Sequence, residues 1–534
     1  KRKIKFENST NFFGSEGHKS VLRKSKNMMN AIKNFYNFTD KNNLSVSYTE
    51  GFNNLLTFYL RYLLISLYII DKVIKKYNPQ EIVIPESTLI KDSHYHWFKK
   101  ERLLGHLVKK YVKHNDLRIK LIEEKKDKNF FKFNFLFFQE NIMKIISFFS
   151  YYAFKYFFRK KDFYLILSDN NNLSNVVSKI KIEKPKFKPV FLSLSNDGIK
   201  RYGFDILKGL AFNLFFNFSS YDVLVPKPQT EEIKNIKKSI DNFTKNLTKD
   251  NDLSKIFYYL NVNLIDELNT FASNALLKSM QDLNAKINHL VKVIKISKPK
   301  FMISQHSFLI GCAMGELSKI HNIPAIAISH STHTSHKSED IFYECRILAD
   351  TMMNKIFPYI AVQNPQMLQF LQDNNYQSEQ MINTGPLLYN KNLHKEKNVK
   401  NLKKNIFGEY SNKKIILHAG TPKIRGSSRL IIYETVDEYI KNINNIISVI
   451  REKKDIFLAI RYRDSPHIPL KDFKELVKES ENCKIYHEGN FKDFLAVSDI
   501  MISYSSTTID EALYNKVPVI LYDSDNKYCH IQSS

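Results

Sequence analysis

Three consecutive hydroxyl residues near the end of the sequence, Ser505, Ser506 and Thr507, follow a short apolar run and precede a stretch with helical spacing. Ser and Thr are typical of a helix start, and the free backbone N–H groups of a first helical turn bind anions. The hydroxyls add further donors, so the pattern favours a phosphate or diphosphate ligand. Glu511 follows about one turn later, where a carboxylate can accept hydrogen bonds from ribose hydroxyls. An ordinary N-capped helix is the alternative interpretation of the three hydroxyls alone.

The residues around this turn predict the elements that position it. The apolar run 499–503 is suited to a buried parallel strand, 508–514 to a helix, and 517–522 to a second buried strand. In such a βαβ unit the turn lies at the carboxyl end of the first strand. Open α/β sheets bind their ligands at that edge. The sequence therefore predicts an anion site in this turn.

A second polar loop follows another predicted strand, 414–417, and reads His418-Ala-Gly-Thr-Pro-Lys-Ile-Arg-Gly-Ser-Ser428. Glycines, hydroxyls and two cations at the carboxyl end of a strand suit a loop that folds over a diphosphate. Gly420 and Thr421 would allow a ligand to approach the backbone closely. The signal is weak alone, but it gains weight because the Ser505 turn is expected at the same edge of the sheet.

Three histidines, His330, His333 and His336, follow the predicted strand 323–329. Their spacing suggests a metal site, but no carboxylate accompanies them, so we predict no bound metal. An imidazole at this place can donate to a phosphate or act as a base toward a hydroxyl. A capping or core role is the alternative for His330 and the favoured interpretation for His333 and His336.

The stretch FLAVSDIMISYSSTTIDEALYNKVPVILYD, residues 494–523, resembles the nucleotide-binding half of GT-B glycosyltransferases. Bacterial capsule and lipopolysaccharide transferases and CDP-glycerol glycerophosphotransferases are the most similar, and hydrolysing UDP-N-acetylglucosamine 2-epimerases share their architecture. In those families this helix start holds the phosphates of the nucleotide, and the acidic residue that follows holds its ribose. The resemblance implies an α/β fold with two Rossmann-like domains facing a cleft. It does not identify the sugar.

The same resemblance implies roles for residues at other predicted strand ends. His330 matches the histidine of a His-Gly pair that faces the interdomain cleft, although Ser331 replaces the glycine. Arg461 or Arg463 would neutralise charge on the departing nucleotide, since related enzymes often carry a basic residue there. Alternation along the strand lets only one of the two serve, and two surface arginines are the alternative. Glu86 is our preferred carboxylate for the base that an acceptor hydroxyl requires.

Bulk composition bounds the class of protein. A length of 534 residues suits two or three domains, and 43% apolar residues with 40 Phe and 29 Tyr exclude a disordered chain. The formal net charge of +27, from 81 Lys+Arg against 54 Asp+Glu, favours anionic partners such as nucleotide sugars, acidic glycans or an anionic membrane surface. Four scattered cysteines indicate a reducing compartment and exclude a disulfide framework.

We predict an N-terminal Rossmann-like, acceptor-binding domain over residues 1–389, a linker over 390–412 and a C-terminal, nucleotide-binding Rossmann-like domain over 413–534. Within the first domain, residues 228–298 are predicted to be helical. Because GT-B domains normally continue with helices after the last strand, we expect the second domain to extend past Ser534.

Residues 128–160 of the first domain interleave aromatic residues with cations and form a basic-aromatic insertion. No uncharged run in this segment reaches the roughly 20 residues that a membrane span needs. We interpret it as a helix lying in the headgroup plane. A long helix packed between domains is the alternative.

These inferences combine into an expected function. We expect a metal-independent glycosyltransferase that moves a sugar, or a related unit, from a nucleotide-activated donor to a surface-polysaccharide or lipid-linked glycan acceptor. No cofactor is expected besides the donor substrate. The expected location is the cytoplasm, with peripheral attachment to the cytoplasmic face of the inner membrane as a further hypothesis.

Two alternatives stay open. A sugar-nucleotide 2-epimerase of the same fold would leave the basic-aromatic segment unexplained, because its substrate is small and soluble. A nucleic-acid-binding protein is suggested by the net charge of +27. It ranks lowest because the charge is spread along the chain and no recognised nucleic-acid motif is present, so we expect no nucleic-acid partner.

Overall fold

The structure of the chain is a computed structural model. It describes residues 12–13, 15–33, 49–85, 104–113, 117–122, 162–167, 173–193, 217–219, 230–249, 251–389, 396–420, 422, 431–463, 468–477, 479–526 and 528–531. The sites and segments predicted above lie partly outside these ranges: Glu86, residues 128–160, and Thr421 and residues 423–428 of the loop 418–428.

Sixteen strands are found among the described residues. They are β1 (Glu81–Pro85), β2 (Arg118–Ile122), β3 (Asp162–Leu167), β4 (Phe187–Ser193), β5 (Asn217–Ser219), β6 (Tyr258–Tyr259), β7 (Val262–Asn263), β8 (Met302–Ser304), β9 (Ala325–Ala327), β10 (Tyr359–Val362), β11 (Met381–Asn383), β12 (Lys414–Ala419), β13 (Ile456–Arg461), β14 (Cys483–Tyr486), β15 (Ile500–Ser503) and β16 (Val519–Leu521).

Helices alternate with these strands through much of the described chain. The α-helices are Ser15–Lys33, Thr49–Tyr77, Leu104–Val112, Ser174–Glu183, Thr230–Lys249, Asn251–Ile256, Ile265–Phe271, Leu277–Ser297, Ile310–Ile320, Glu339–Met352, Pro365–Asp373, Glu396–Phe407, Val436–Ile450, Leu470–Leu476, Phe491–Ala496 and Thr508–Tyr514. A π-helix, Ala272–Leu276, and two 3-10 helices, Ser378–Gln380 and Gly408–Asn412, complete them. None of these helices is both long enough and apolar enough to cross a membrane.

The larger sheet has seven strands in the order β11-β10-β9-β8-β3-β4-β5. The pairs β3–β4, β4–β5, β3–β8, β8–β9 and β9–β10 are parallel. From β3 the chain proceeds outward to β5 and then returns to the other side of β3 at β8. This reversal of strand order is the pattern of a doubly wound α/β sheet.

The second sheet repeats the pattern with five parallel strands in the order β14-β13-β12-β15-β16. Here the order reverses between β12 and β15. Side chains alternate between two apolar clusters: Leu458 and Ile460 belong to one, and Phe457 and Ala459 to the other. Helices therefore cover both faces, as parallel sheets require. The two sheets confirm the predicted α/β class with two Rossmann-like sheets.

Polar contacts also stabilise the helix Val436–Ile450 and the residues that precede it. Thr435 begins the helix Val436–Ile450 with a capping box, in which Glu438 accepts from the Thr435 backbone N–H. Ile431 and Ile432 lie just before this helix, and their backbone N–H groups donate to the buried carboxylate of Glu344 at 2.9 and 3.0 Å. The two hydrogen bonds satisfy acceptor capacity of a carboxylate that burial removes from water.

The described residues of the segment 228–298 are helical over most of their length, and a short hairpin interrupts them. The two-residue turn between β6 and β7, where Leu260 and Asn261 have φ of 48° and 63°, is not evident from the sequence. After it, Glu267 is buried, and its carboxylate contacts His106 Nε2 at 2.9 Å and Lys110 Nζ at 2.8 Å. These bonds lower the pKa of Glu267 against the opposing effect of burial.

The apolar pattern of the sequence also predicts a first βαβ unit, with strands at 79–85 and 117–122 and a helix at 97–113, as the start of the first Rossmann-like domain. The structure differs from this expectation. β1 and β2 are parallel neighbours, as expected, but they form a two-stranded sheet of their own. The first Rossmann-like sheet begins instead with β3. The apolar runs predicted these strands correctly, whereas their sheet depends on pairing partners that a local pattern does not specify.

By their contacts the residues group into two units, 1–328 with 350–360, and 329–349 with 361–534. The domain boundary predicted at residue 389 stays a prediction. Residues 390–412, predicted as a linker, contain the helix Glu396–Phe407, which packs on the second sheet: the Phe407 and Phe457 rings lie 5.8 Å apart.

Candidate functional site

The carboxyl edge of the five-stranded sheet brings the start of one predicted polar loop, residues 418–420, close to the hydroxyl turn 505–507. β12 ends at Ala419 and β15 at Ser503, and these strands are neighbours at the reversal of strand order. The buried Ser503 Oγ donates to the Ala419 carbonyl at 2.7 Å and joins the two strand ends. Gly420 and the turn 505–507 follow directly. Open α/β sheets bind ligands at this position, beside the strands where the order reverses.

The hydroxyl turn contains one hydroxyl in a local contact and two open hydroxyls. Ser506 Oγ accepts from the backbone N–H of Thr508 at 3.3 Å, and Thr507, the N-cap residue of the helix, makes no side-chain cap hydrogen bond. Ser505 is half-buried and Thr507 is exposed. Neither side chain hydrogen-bonds another described residue, which leaves two hydroxyls available at the edge of the sheet.

Glu511 lies half-buried on the helix Thr508–Tyr514. Burial raises the pKa of its carboxyl group, and the nearby Lys492 cation opposes the rise. Tyr389 lies close by, because its ring centroid is 5.9 Å from that of Tyr514. Burial, followed by the charges of Asp510 and Glu511, raises the pKa of the Tyr389 hydroxyl. An ionisable carboxylate and a neutral phenol therefore share this part of the site.

Asp510 is a residue of the site that the sequence analysis missed. Thr332 Oγ1 donates to its Oδ2, and Asn364 Nδ2 donates to its Oδ1 at 3.3 Å. Burial raises the pKa of Asp510 to about 6, while the Thr332 hydrogen bond opposes the rise. In the sequence, the only signal for Asp510 is its position next to Glu511, because its hydrogen-bond partners are distant along the chain.

The Thr332–Asp510 hydrogen bond holds the histidine loop against the helix of the hydroxyl turn. His330 is half-buried and precedes Thr332 by two residues. Ser329, at the start of the loop, is fixed by Gln363, whose Nε2 donates to the Ser329 carbonyl at 2.6 Å. The structure therefore brings the loop of His330 to the same helix that carries Glu511.

The other two histidines have structural roles, as the favoured interpretation predicted. His333 is buried, and its Nε2 lies 2.6 Å from Ser329 Oγ. His336 Nδ1 accepts from the Ser338 backbone N–H at 3.0 Å, and the His336 ring stacks on Tyr528 with centroids 6.3 Å apart. Burial lowers the pKa of His336. Both rings are engaged in capping and packing.

His418 and Gly420 are packed against Tyr439. His418 is buried, which lowers its pKa to about 4 and keeps the ring neutral at pH 7. No described residue hydrogen-bonds its Nδ1. A Cβ added at Gly420 would lie 3.2 Å from Tyr439 Cε2 and 3.7 Å from His418 Cε1. Close packing thus gives Gly420 a reason to be glycine, and its contact with a ligand stays a prediction.

The two predicted arginines differ in their surroundings. The guanidinium of Arg461 donates to three backbone carbonyls, those of Tyr462, Tyr486 and Gly489, at 2.6, 3.1 and 2.8 Å. Arg463 is exposed. Arg461 therefore stabilises the loop after β14, and Arg463 is the arginine left open at the end of β13. Glu86, the predicted base, lies outside the described residues.

Within the ranges described above, no group of three or more His, Cys, Asp or Glu side chains is arranged to hold a metal ion. Three cysteines are buried and Cys529 is exposed, and all four are free thiols.

Comparisons with known proteins find distant structural likenesses only. No protein-family model matches the sequence, and no curated protein matches it significantly. A UDP-GlcNAc 2-epimerase from Neisseria meningitidis is 14% identical, with a TM-score of 0.39 over 68% of this chain and 82% of the other. The 2-epimerase of Methanocaldococcus jannaschii is 13% identical, with a TM-score of 0.37 over 67% and 83%.

A third similar structure is the wall teichoic acid polymerase TagF, 12% identical, with a TM-score of 0.34 over 74% of this chain and 80% of the other. The 2-epimerases are among the proteins whose architecture the resemblance of residues 494–523 implies. TM-scores of this size mark a distant likeness, which assigns no function to this chain.

Proposed function

We propose that the chain is a GT-B-like glycosyltransferase. It binds a nucleotide-activated donor at the carboxyl edge of the five-stranded sheet and moves the sugar, or a related unit, to a surface-polysaccharide or lipid-linked glycan acceptor. The observation that carries the proposal is the reversal of strand order between β12 and β15, with the hydroxyl turn 505–507 at the strand end. Ligands of open α/β sheets bind at such reversals.

The residues at this edge support a nucleotide as the ligand. The hydroxyls of Ser505 and Thr507 can donate to phosphate oxygens, and the half-buried carboxylate of Glu511 can accept from ribose hydroxyls. The net charge of +27 favours the approach of an anionic donor. In this proposal the nucleotide is a substrate, and no cofactor is required.

The proposed transfer needs a base and a cationic group that stabilises the negative charge on the leaving nucleotide. A bond forms between the acceptor oxygen and the sugar carbon, while the bond from that carbon to the donor's phosphate oxygen breaks. The acceptor proton passes to a base, for which His330 and Glu86 are the candidates. We assign the cation that faces the leaving phosphate to Arg463, because Arg461 already donates to three carbonyls.

The proposed place of work is the cytoplasmic face of the inner membrane. A basic-aromatic segment at residues 128–160 supports attachment to an anionic lipid surface. The support is from the sequence alone, since this segment lies outside the described residues.

Product analysis tests the proposal and separates it from the epimerase alternative. The protein is incubated with sugars linked to UDP, CDP, GDP, CMP or ADP, together with a glycolipid extract, and the products are separated. A glycan extended by one unit together with free nucleotide supports the transferase, and Arg463→Gln should slow its formation. A free sugar inverted at C2 would identify an epimerase. Consumption of none of the donors would refute both, and salt-sensitive binding of DNA or RNA would then favour the nucleic-acid alternative.

A further inference from the structure

A cavity of about 330 Å³ lies along one face of the helix Ser15–Lys33. Three cations line it, Lys19, Arg23 and Lys24. None of them forms an ion pair with another described residue. The volume lies at the lower end of the range, roughly 300–1,000 Å³, that small-molecule sites occupy.

The spacing of the lining residues explains how one helix builds a concave site. Lys19, Arg23 and Asn27 recur at intervals of four, and so do Ser20 and Lys24 in the neighbouring row. Residues at this spacing share one face of a helix. The two rows therefore present their charged ends to the same space.

Tyr259 of β6 closes the cavity from a distant part of the chain. Its hydroxyl lies 2.9 Å from Ser20 Oγ, across 239 positions of sequence, and the residue is only 8% exposed. Burial raises the pKa of Tyr259 to about 12, so the hydroxyl keeps its proton at neutral pH. The site therefore combines six residues of one helix face with a side chain from a distant part of the chain.

The balance of donors and acceptors in this cavity is strongly one-sided. Three cations, the Asn27 amide and one of the two hydroxyls can donate to a ligand, since the Ser20 and Tyr259 hydroxyls share a hydrogen bond, whereas Glu16 is the only carboxylate among the lining residues. Burial lowers the pKa of Lys24, which reflects the cost of a partly desolvated charge that has no ion-pair partner among the described residues. An anionic ligand would relieve that cost.

We propose that this cavity binds a phosphate ester that carries a small polar group, such as a sugar. A phosphate offers several anionic acceptors, which suit the planar fork of Arg23 and the point charges of Lys19 and Lys24. The amide and hydroxyl groups of Asn27 and Tyr259 suit the hydroxyls of the attached group. The cavity lies in the unit of residues 1–328 and 350–360, so the inference does not depend on the proposed nucleotide site.

Calorimetric titration of the full chain with glucose 1-phosphate at low salt tests this site. We expect binding of glucose 1-phosphate and none of glucose. Arg23→Gln and Lys24→Gln should each weaken binding by about tenfold or more, because each removes a charge-assisted contact. Gln is as good a helix former as Arg or Lys, so the helix is preserved. Lys26→Gln, on the same helix but outside the cavity, should leave the affinity unchanged.

Three results would overturn the site. The first is that the unaltered protein binds neither glucose 1-phosphate nor, in vesicles, phosphatidic acid. The second is equal weakening by Arg23→Gln and Lys26→Gln, which would indicate a general charge effect. The third is binding that Ser505→Ala abolishes and Arg23→Gln leaves intact, which would assign the phosphate to the edge of the five-stranded sheet.

A second arm of the experiment distinguishes a soluble ligand from a lipid headgroup. Phosphatidylcholine vesicles with and without phosphatidic acid, a phosphate monoester, are sedimented with the protein. Binding that requires phosphatidic acid and is lost in Arg23→Gln but kept in Lys26→Gln supports the site with a lipid as its source. Binding of glucose 1-phosphate without vesicle binding supports it with a soluble ester.

Discussion

Replacing Asp510 by Asn should change how the stability of the protein depends on pH. Burial raises the pKa of Asp510 to about 6 in the folded protein, from an ordinary value of 3.8. Between these two values the folded state binds more protons than the unfolded state. Stability therefore falls as pH rises from about 4 through about 6, since the buried carboxyl must then ionise.

The size of the effect follows from the difference between the two pKa values. A pKa difference of about 2 units lowers the free energy of unfolding by about 3 kcal/mol at neutral pH, and about 2 kcal/mol of this loss develops between pH 4 and pH 7. An asparagine stays neutral at every pH. Its oxygen can still accept from Asn364 and its amide can donate to Thr332, so both hydrogen bonds of Asp510 have replacements.

Unfolding in urea at about pH 4, 5.5 and 7 measures this difference. The free energy of unfolding of Asp510→Asn, minus that of the unaltered protein, should increase with pH by about 2 kcal/mol. The control is Asp472→Asn, an exposed carboxylate on the helix Leu470–Leu476, which should show no comparable trend. A difference that is constant with pH, or largest near pH 4, would refute the reasoning about burial.

Glu267→Gln breaks a buried ion-pair network and should lower the free energy of unfolding by roughly 3 kcal/mol. Asp266→Asn, at a side chain that is 84% exposed, should lower it by less than about 1 kcal/mol. Equal losses for the two variants in urea denaturation would contradict the role of the buried network. Glu344→Gln replaces one of two acceptor oxygens by a donor facing backbone N–H groups. It should cost about 1–3 kcal/mol in thermal unfolding, while the exposed Glu339→Gln should be near neutral, and a harmless Glu344→Gln would count against the described contacts. Iodoacetamide should label Cys529 alone in the folded protein, because Cys312, Cys345 and Cys483 are buried. Detection of a second labelled cysteine by mass spectrometry would contradict the structure.

Much of the strand and helix pattern could be predicted from the sequence because parallel strands are buried on both faces. Such strands are continuous apolar runs, as at 500–503, and they are recognised without knowledge of their neighbours. The run predicted as a second buried strand at 517–522 forms β16 but is not buried as expected, because β16 is the last strand of its sheet and Ile520 is 43% exposed. The helix Thr508–Tyr514 was predicted at its observed bounds. Local patterns of this kind identify elements, and the α/β alternation then predicts the class of fold.

Other elements were missed for identifiable reasons. The helix Glu396–Phe407 lies where the Lys and Asn content suggested a linker, although Val399, Leu402 and Ile406 follow helical spacing and pack on the second sheet. Its polar composition hid an amphipathic pattern. The separate sheet of β1 and β2 was missed because strand pairing is a long-range property.

The same distinction applies to the site. The hydroxyl turn and Glu511 were predicted because they form a local motif. Asp510 was missed because its partner Thr332 is 178 positions away, and no local pattern relates the two. Arg461 was predicted as a ligand-facing cation, and only the structure reveals the carbonyls that occupy its guanidinium.

Thermal-shift measurement with nucleotides tests for a nucleotide site at the carboxyl edge of the five-stranded sheet. The protein is heated with UDP, CDP, CMP, GDP or ADP, alongside the variants Ser505→Ala and Glu511→Ala and the exposed control Glu475→Ala. A ligand that binds only the folded state raises the melting temperature. The account predicts that one nucleotide stabilises the unaltered protein and the control, and that both site variants lose the effect. Stabilisation by none of the nucleotides, or an equal effect in all four proteins, would contradict it.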